Sequence, residues 1–409
     1  MKKFGKFILG LVLVAGLGFT GFIVGQNYGL ATSQQASTRE DAHMVDMTML
    51  KNLIDQNYLF DYEEEDLYEG SLMGMFANLE DPYTQYYPAD DFADLMESID
   101  GRYKGIGVLV QASKEGFIKA VQVFEDSPAK EAGILPGDYL IKVDGVEYFA
   151  DQMEEAVANI KGEEGTSVEI TVLRVSEENP EGEELSFDVS RRELTVDTIE
   201  EKVIEEDGEN IGYMHIKSFD DVTGEEFAQT FKDLKSENIK GLILDLRNNP
   251  GGALDISLDI ADTFLDEGVI VTTEDKNGKV ITEESDSDYD DIPITVLINE
   301  NSASASEILS GALKDRNRAI LVGTTTFGKG IVQKIFPLED GSGAKITVSE
   351  YHTPSGAKIN EVGVSPDVEI ANEKEGFIPG PDNLEEDEVF KKGLEVLKMQ
   401  IEGLNKDED

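Results

Sequence analysis

The sequence predicts a mixed α/β (α+β) fold, and three features of its patterning carry that expectation. Short apolar runs at 211–216, 242–246, 294–298 and 320–322 read as buried strands. Between them, 227–234 and 308–313 repeat apolar residues at helical spacing, the alternation of an α/β core. Ahead of this core, from about 101 to 192, the texture changes to short strands broken by glycine turns, and helical segments flank the whole.

The chain has 409 residues, enough for two to three domains. We divide it at 1–30, 31–98, 99–192, 193–370 and 371–409. In the first segment Lys2, Lys3 and Lys6 precede 19 uncharged residues, 7–25. As a helix these span about 28 Å, against a hydrocarbon core of about 30 Å. That length favours a retained single-pass membrane anchor with the lysines inside; a cleaved signal peptide is the rival. Either way the bulk of the chain is expected outside the cytoplasm.

Residues 38–97 mix acids with Met, Leu and Tyr at helical intervals and read as a short helical region, with Tyr83, Tyr86 and Tyr87 crowding a turn after Asp81-Pro82. Next, Gly105-Ile106-Gly107-Val108 leads strands at 109–110 and 118–123. In Ser127-Pro128-Ala129-Lys130-Glu131-Ala132-Gly133, Ser127 suits an N-cap, Pro128 the first helical position and Gly133 the end of the turn. With Leu135-Pro136-Gly137-Asp138 and 141–145 this region resembles PDZ modules. The resemblance implies a groove between loop Gly105, Ile106, Gly107, Val108 and a helix over 151–160. An extended peptide would add there as a strand, its terminal carboxylate on backbone N–H groups.

The most informative residues lie in the core. Ser302-Ala303-Ser304-Ala305-Ser306-Glu307 follows strand 294–298, and Phe327-Gly328-Lys329-Gly330 places a lysine 25 residues after Ser304, with Gln333 four further on. A serine hydroxyl needs a neighbouring base to attack at neutral pH. The three histidines, His43, His215 and His352, lack a triad setting, which leaves Lys329. Bringing a lysine from about 10.4 to near 7 costs roughly 4 kcal/mol, which burial without a carboxylate partner supplies. Runs 320–322 and 331–332 read as buried strands around it, Gly328 and Gly330 let the backbone bend, and neutral Gln333 can orient the amine without recharging it. Ser302, Ser304 and Ser306 compete for the nucleophile's role on chemistry alone, and each also suits a helix cap. A helix opening there would aim free N–H groups, including that of Ala305, at a developing oxyanion.

These strings resemble the C-terminal processing peptidases, or tail-specific proteases. So do Asp245-Leu246-Arg247-Asn248-Asn249-Pro250-Gly251-Gly252, Tyr351-His352-Thr353-Pro354-Ser355-Gly356 and Asp81-Pro82-Tyr83-Thr84. The resemblance implies Ser304 as nucleophile, Lys329 as base, Gln333 as its support, and a second oxyanion donor from Gly251 or Gly252. It also implies protein or peptide substrates with accessible C-terminal tails, an interaction arm near Tyr83 and, with the terminal helices, a homodimer. Where relatives often carry an arginine after the groove helix, this chain has Lys161-Gly162, a point charge in place of a bidentate fork.

Composition narrows the alternatives. With no cysteine, neither a disulfide nor a thiolate nucleophile is available. The formal charge is −50, and residues 31–409 carry −53, a surface that repels nucleic acid and anionic lipid. Asp286-Ser287-Asp288-Tyr289-Asp290 opens like a calcium loop, but Asp291 and Leu297 stand where that loop needs glycine and glutamate, so a solvated loop is expected. Ser127 and Ser355 each precede a lysine by three, yet both fall beside prolines in turns, without the companion motifs of a penicillin-recognising enzyme. The favoured expectation is an exported, anchored serine endopeptidase that needs no cofactor. A membrane-tethered PDZ adaptor with a silent peptidase fold is the alternative. Residues 385–404 close the sequence with Val389, Leu394, Leu397 and Ile401 on one helical face, ready to dock on the core or on a second subunit.

Overall fold

A computed structural model describes residues 42–124, 126–176, 179–372 and 377–407. The expected membrane segment, 7–25, lies outside these. Among the described residues no helix is long and apolar enough to cross a membrane. The chain forms two compact units that part between Ser71 and Leu72. In the first, 42–57 is helical and a second helix, Glu64–Ala77, begins.

The second unit is organised by a six-stranded sheet in sequence order: Ile199–Glu206, Glu209–Ile216, Leu242–Asp245, Ile294–Ile298, Ala319–Gly323 and Val368–Glu369. The first pair is antiparallel and the rest are parallel. Side-chain alternation along the strands serves both faces. Leu242, Leu244, Val296 and Leu321 pack with helices Thr223–Ser236, Leu254–Phe264 and Ala305–Asp315. Ile243, Leu297 and Val322 face the other way and are covered by helix Glu388–Asp407 through Val389, Phe390, Leu397 and Ile401. The C-terminal helix therefore docks on the core of its own chain.

A second sheet has five strands. Its long strand Gly343–His352 pairs with Gly268–Asp275 and, on its other edge, with Ile331–Pro337. The strand Gln85–Tyr87 also joins it, through residues 343–345. Tyr86 and Tyr87 thus lie in a strand and not, as the sequence suggested, in a turn. Helix Ala89–Asp100 follows.

The remaining β module hangs from a two-stranded stalk in which Arg102–Gly105 runs antiparallel to Arg192–Thr195. Its sheet orders Val108–Ala112, Ile118–Val123, Tyr139–Val143, Ser167–Arg174 and Glu183–Ser190. Ser127 caps Pro128–Ala132 by accepting the N–H of Lys130, and Gly133 ends that helix in the left-handed conformation, as their chemistry predicted. The groove helix is Met153–Ile160, preceded by a 3₁₀ turn.

Candidate active site

Three loops at the C-terminal ends of the parallel strands build the site. The first follows Leu242–Asp245. Arg247, 2% exposed, is held by Asp245 and Asp387, both fully buried. Beyond it, Asn249 fixes the turn: its Nδ2 donates to the Ile216 carbonyl (2.9 Å), while its Oδ1 accepts the Gly251 N–H (2.8 Å). Gly251 adopts φ +101°, and a Cβ there would lie 2.7 Å from both the Ala303 carbonyl and Ser304 Cβ, so only glycine lets this turn reach the serine segment. Of the two glycines proposed as donors, Gly251 thus has its N–H engaged by Asn249. The N–H groups of Gly252 and Ala305 donate to nothing among the described residues.

The second loop follows Ile294–Ile298 and separates the three serines. Ser302 donates to the Leu246 carbonyl (2.8 Å) and Ser306 to the Asn249 carbonyl (3.1 Å), and both are fully buried. Ser304 instead lines a cavity of about 380 Å³. It stands at the head of helix Ala305–Asp315 with φ 56° and ψ −115°, a strained conformation for a residue with a Cβ.

The third loop carries Lys329. Glu307, fully buried, binds it to the serine: Oε2 accepts the N–H groups of Ser304 (2.9 Å) and Lys329 (2.8 Å). Its Oε1 accepts the Thr326 hydroxyl (2.5 Å) and the Gly328 N–H (2.8 Å). Gly330 is required for close approach rather than for bending, since a Cβ would lie 2.1 Å from the Asn360 nitrogen.

Ser304, Lys329, Gln333, Gly252 and Ala305 thus share one cavity, joined by Leu95 and Ile99 of helix Ala89–Asp100. Lys329 Nζ rests over the ring of Tyr83, 4.7 Å from its centroid. Burial, with the nearby Lys345 ammonium, holds this amine below the usual lysine range, against the opposing pull of Glu307 and Asp81. Gln333 Nε2 donates to Thr347 Oγ1 (3.3 Å) and the Ile331 carbonyl (3.4 Å), and no hydrogen bond links it to Lys329 among the described residues. The Tyr351 hydroxyl donates to the Lys329 carbonyl and lies against Ser304. The strand under Gln333, Ile331–Pro337, is half-buried and bonded along one edge only, with a bulge between Val332 and Gln333, so the buried strand predicted at 331–332 is an edge strand lining the cavity.

Sequence reasoning quoted Glu307, Tyr351 and Tyr83 within its motifs without giving them a part in the site, and passed over Lys345. The first was legible, because a glutamate three residues after a capping serine is a capping-box signal. The rest depend on pairings between strands far apart in the chain.

A second cavity, of about 500 Å³, is lined by Gly105, Ile106, Gly107 and Val108, by Val157 and Ile160 of the groove helix, and by Val196 and Lys217. Lys161, at the end of that helix, reaches Asp94 and Glu97 at 2.7 Å each, on the helix that contributes Leu95 to the catalytic cavity.

A hydroxyl, an amine whose charged form is disfavoured and unengaged N–H groups, gathered within apolar walls, can perform acyl transfer. Comparison with known proteins gives the family. Residues 210–370 match Peptidase family S41, residues 120–174 a PDZ domain, and residues 13–91 the N-terminal domain of the activating protease CtpB. The carboxy-terminal processing protease CtpB of Bacillus subtilis is 33% identical over 363 residues, 88% of this chain and 74% of that protein. The carboxy-terminal-processing protease of Bartonella bacilliformis is 35% identical over 316 residues, 75% and 70% of the two chains. A solved chain from Bacteroides fragilis described as an S41 protease shares the fold, with TM-score 0.52 and 15% identity over 84% of this chain and 92% of that one. The chain belongs to the carboxy-terminal processing proteases of Peptidase family S41, serine-type peptidases, and carries a PDZ domain.

Proposed function

We propose that Ser304 is the nucleophile and Lys329 the general base of an endopeptidase that cleaves protein substrates presenting accessible C-terminal tails. The observation that carries this reading is the shared cavity, lined both by a strained serine and by a lysine held below its ordinary range. Neutral Lys329 swings from the Tyr83 ring to take the Ser304 proton as the hydroxyl attacks the scissile carbonyl. The developing oxyanion meets the N–H groups of Gly252 and Ala305. Lys329 then returns the proton to the leaving amine, and the same base activates water to release the acyl group. Gln333, on the same cavity, would steady the amine without charging it once Lys329 has left the Tyr83 ring.

The substrate lies extended beside Ile331–Pro337, whose open edge offers main-chain partners. Its tail is received by the PDZ groove at Gly105, Ile106, Gly107 and Val108. The enzyme is held at the cell membrane by residues 7–25 with its catalytic part outside the cytoplasm, a reading supported by the three lysines ahead of that run. Membership of a peptidase family favours this over the silent adaptor.

The test offers an unfolded protein with an apolar tail to the purified chain and to its Ser304→Ala variant. Cleavage by the parent alone is expected; cleavage by both, or by neither, overturns the assignment. Lys329→Ala and Lys329→Arg should both be inert, because an arginine stays charged near pH 7.

A further inference from the structure

The catalytic cavity holds two lysines. Lys345 lines it together with Lys329, on the strand Gly343–His352 that pairs with the strand bearing Gln333. In a chain with 85 acidic residues against 35 basic ones, two lysines on one cavity run against the composition. Neither Nζ makes an ion pair among the described residues. Each lies over an aromatic ring instead, Lys329 at 4.7 Å from the Tyr83 centroid and Lys345 at 5.5 Å from that of Tyr87. Both rings come from one short segment, which residues 343–345 hold in place by strand pairing. Ile99, Leu254, Ile308 and Ile335 are among the other lining residues, and in such partly apolar surroundings a charge at one lysine is felt at the other more strongly than in water.

We propose that Lys345 is a positioning residue that keeps Lys329 in its free-base form, because a like charge held in the same cavity disfavours a second ammonium. The other groups facing Lys329 are Glu307 from helix Ala305–Asp315, Asp81 and Tyr83 from the N-terminal turn, and Tyr351 from the long strand. The two carboxylates favour the ammonium. Both are already occupied, Glu307 by four donors and Asp81 by the Tyr83 N–H and the Thr84 hydroxyl. Burial and Lys345 together outweigh them. Asp220, the carboxylate on the cavity wall, is held by the Ser218 hydroxyl and pushed up by burial.

The inference rests on the Ser304 and Lys329 assignment, and the experiment separates the two. The rate kcat/KM of the full chain in detergent is measured on an unfolded, apolar-tailed peptide from about pH 6 to pH 10, for the parent, Lys345→Met, Lys345→Gln and Lys345→Arg. Removing the charge makes the Lys329 ammonium easier to form, so the acid limb should move upward by about one pH unit in the Met and Gln variants. Their rate at neutral pH falls about tenfold and rejoins the parent's at alkaline pH, while the Arg variant follows the parent. A uniform loss with no displacement of the limb, or an Arg variant displaced like Met, overturns the proposal. Two neutral replacements of different shape, checked by circular dichroism, separate charge from misfolding. If Ser304→Ala or Lys329→Ala still cleaves, the parent assignment falls; if both are inert and the limb stays put, only the role of Lys345 falls.

Discussion

Four donors converge on Glu307: the N–H groups of Ser304, Gly328 and Lys329 and the hydroxyl of Thr326. A carboxylate can accept all four, whereas a carboxamide offers one oxygen and turns an NH₂ toward donors. Glu307→Gln therefore leaves at least two donors unmatched, at about 1–3 kcal/mol each. We expect thermal stability to fall and kcat to drop by about 100-fold, since the clamp sets the spacing between serine and lysine loops. Unchanged kcat in a folded variant would refute this. The residues we propose for the chemistry were legible because spacing and type announce them: a serine string after an apolar strand, and a lysine between glycines. Their choice among three serines was not. The proposal of Ser304 is supported by hydrogen bonds that bury Ser302 and Ser306 against carbonyls of the neighbouring loop, a partnership that exists only once the parallel strands are aligned.

Among the elements, the C-terminal helix shows what patterning can and cannot tell. Its apolar stripe was plain in the sequence, but its destination was not, because the strands it covers are apolar on both faces. The strand at 331–337 misled in the opposite sense: an apolar start suggested burial, yet pairing on one edge only leaves it half-open along the cavity. Helix Glu388–Asp407 is held at its start by Asp387, which accepts the N–H groups of Val389 and Phe390 and two bonds from Arg247. Burial alone would push the Asp245 carboxyl up, but the Arg247 guanidinium beside it holds it below the usual range. Its contribution to stability is thus present at neutral pH and lost in acid. Asp387→Ala should cost about 3–5 kcal/mol, because it removes the helix cap and half the charge balance of a buried arginine. The denaturation midpoint in urea measures it, and a shift within error would show that the cluster is dispensable.

For the molecule as a whole, the site is assembled from distant parts of the sequence. The Gln85–Tyr87 strand pairs with residues 343–345, and helix Ala89–Asp100 supplies the Leu95 and Ile99 wall. Sequence alone gave the mixed α/β class and the PDZ resemblance, since each rests on local periodicity. It could not give the pairing of the N-terminal segment with the late strand, which depends on closing a loop of most of the chain. The two strands of the stalk, by contrast, bring the PDZ module's beginning and end together: Gly105 faces Arg192 in register. Opposed residues of an antiparallel pair lie about 5 Å apart, a gap that a two-residue turn closes. The module can therefore be excised as a cassette and the stalk sealed into a plain hairpin. Such a shortened enzyme should fold and hydrolyse small unstructured peptides, while losing the proposed preference for substrates with a free apolar terminus, which a competition assay between tailed and amidated peptides would register.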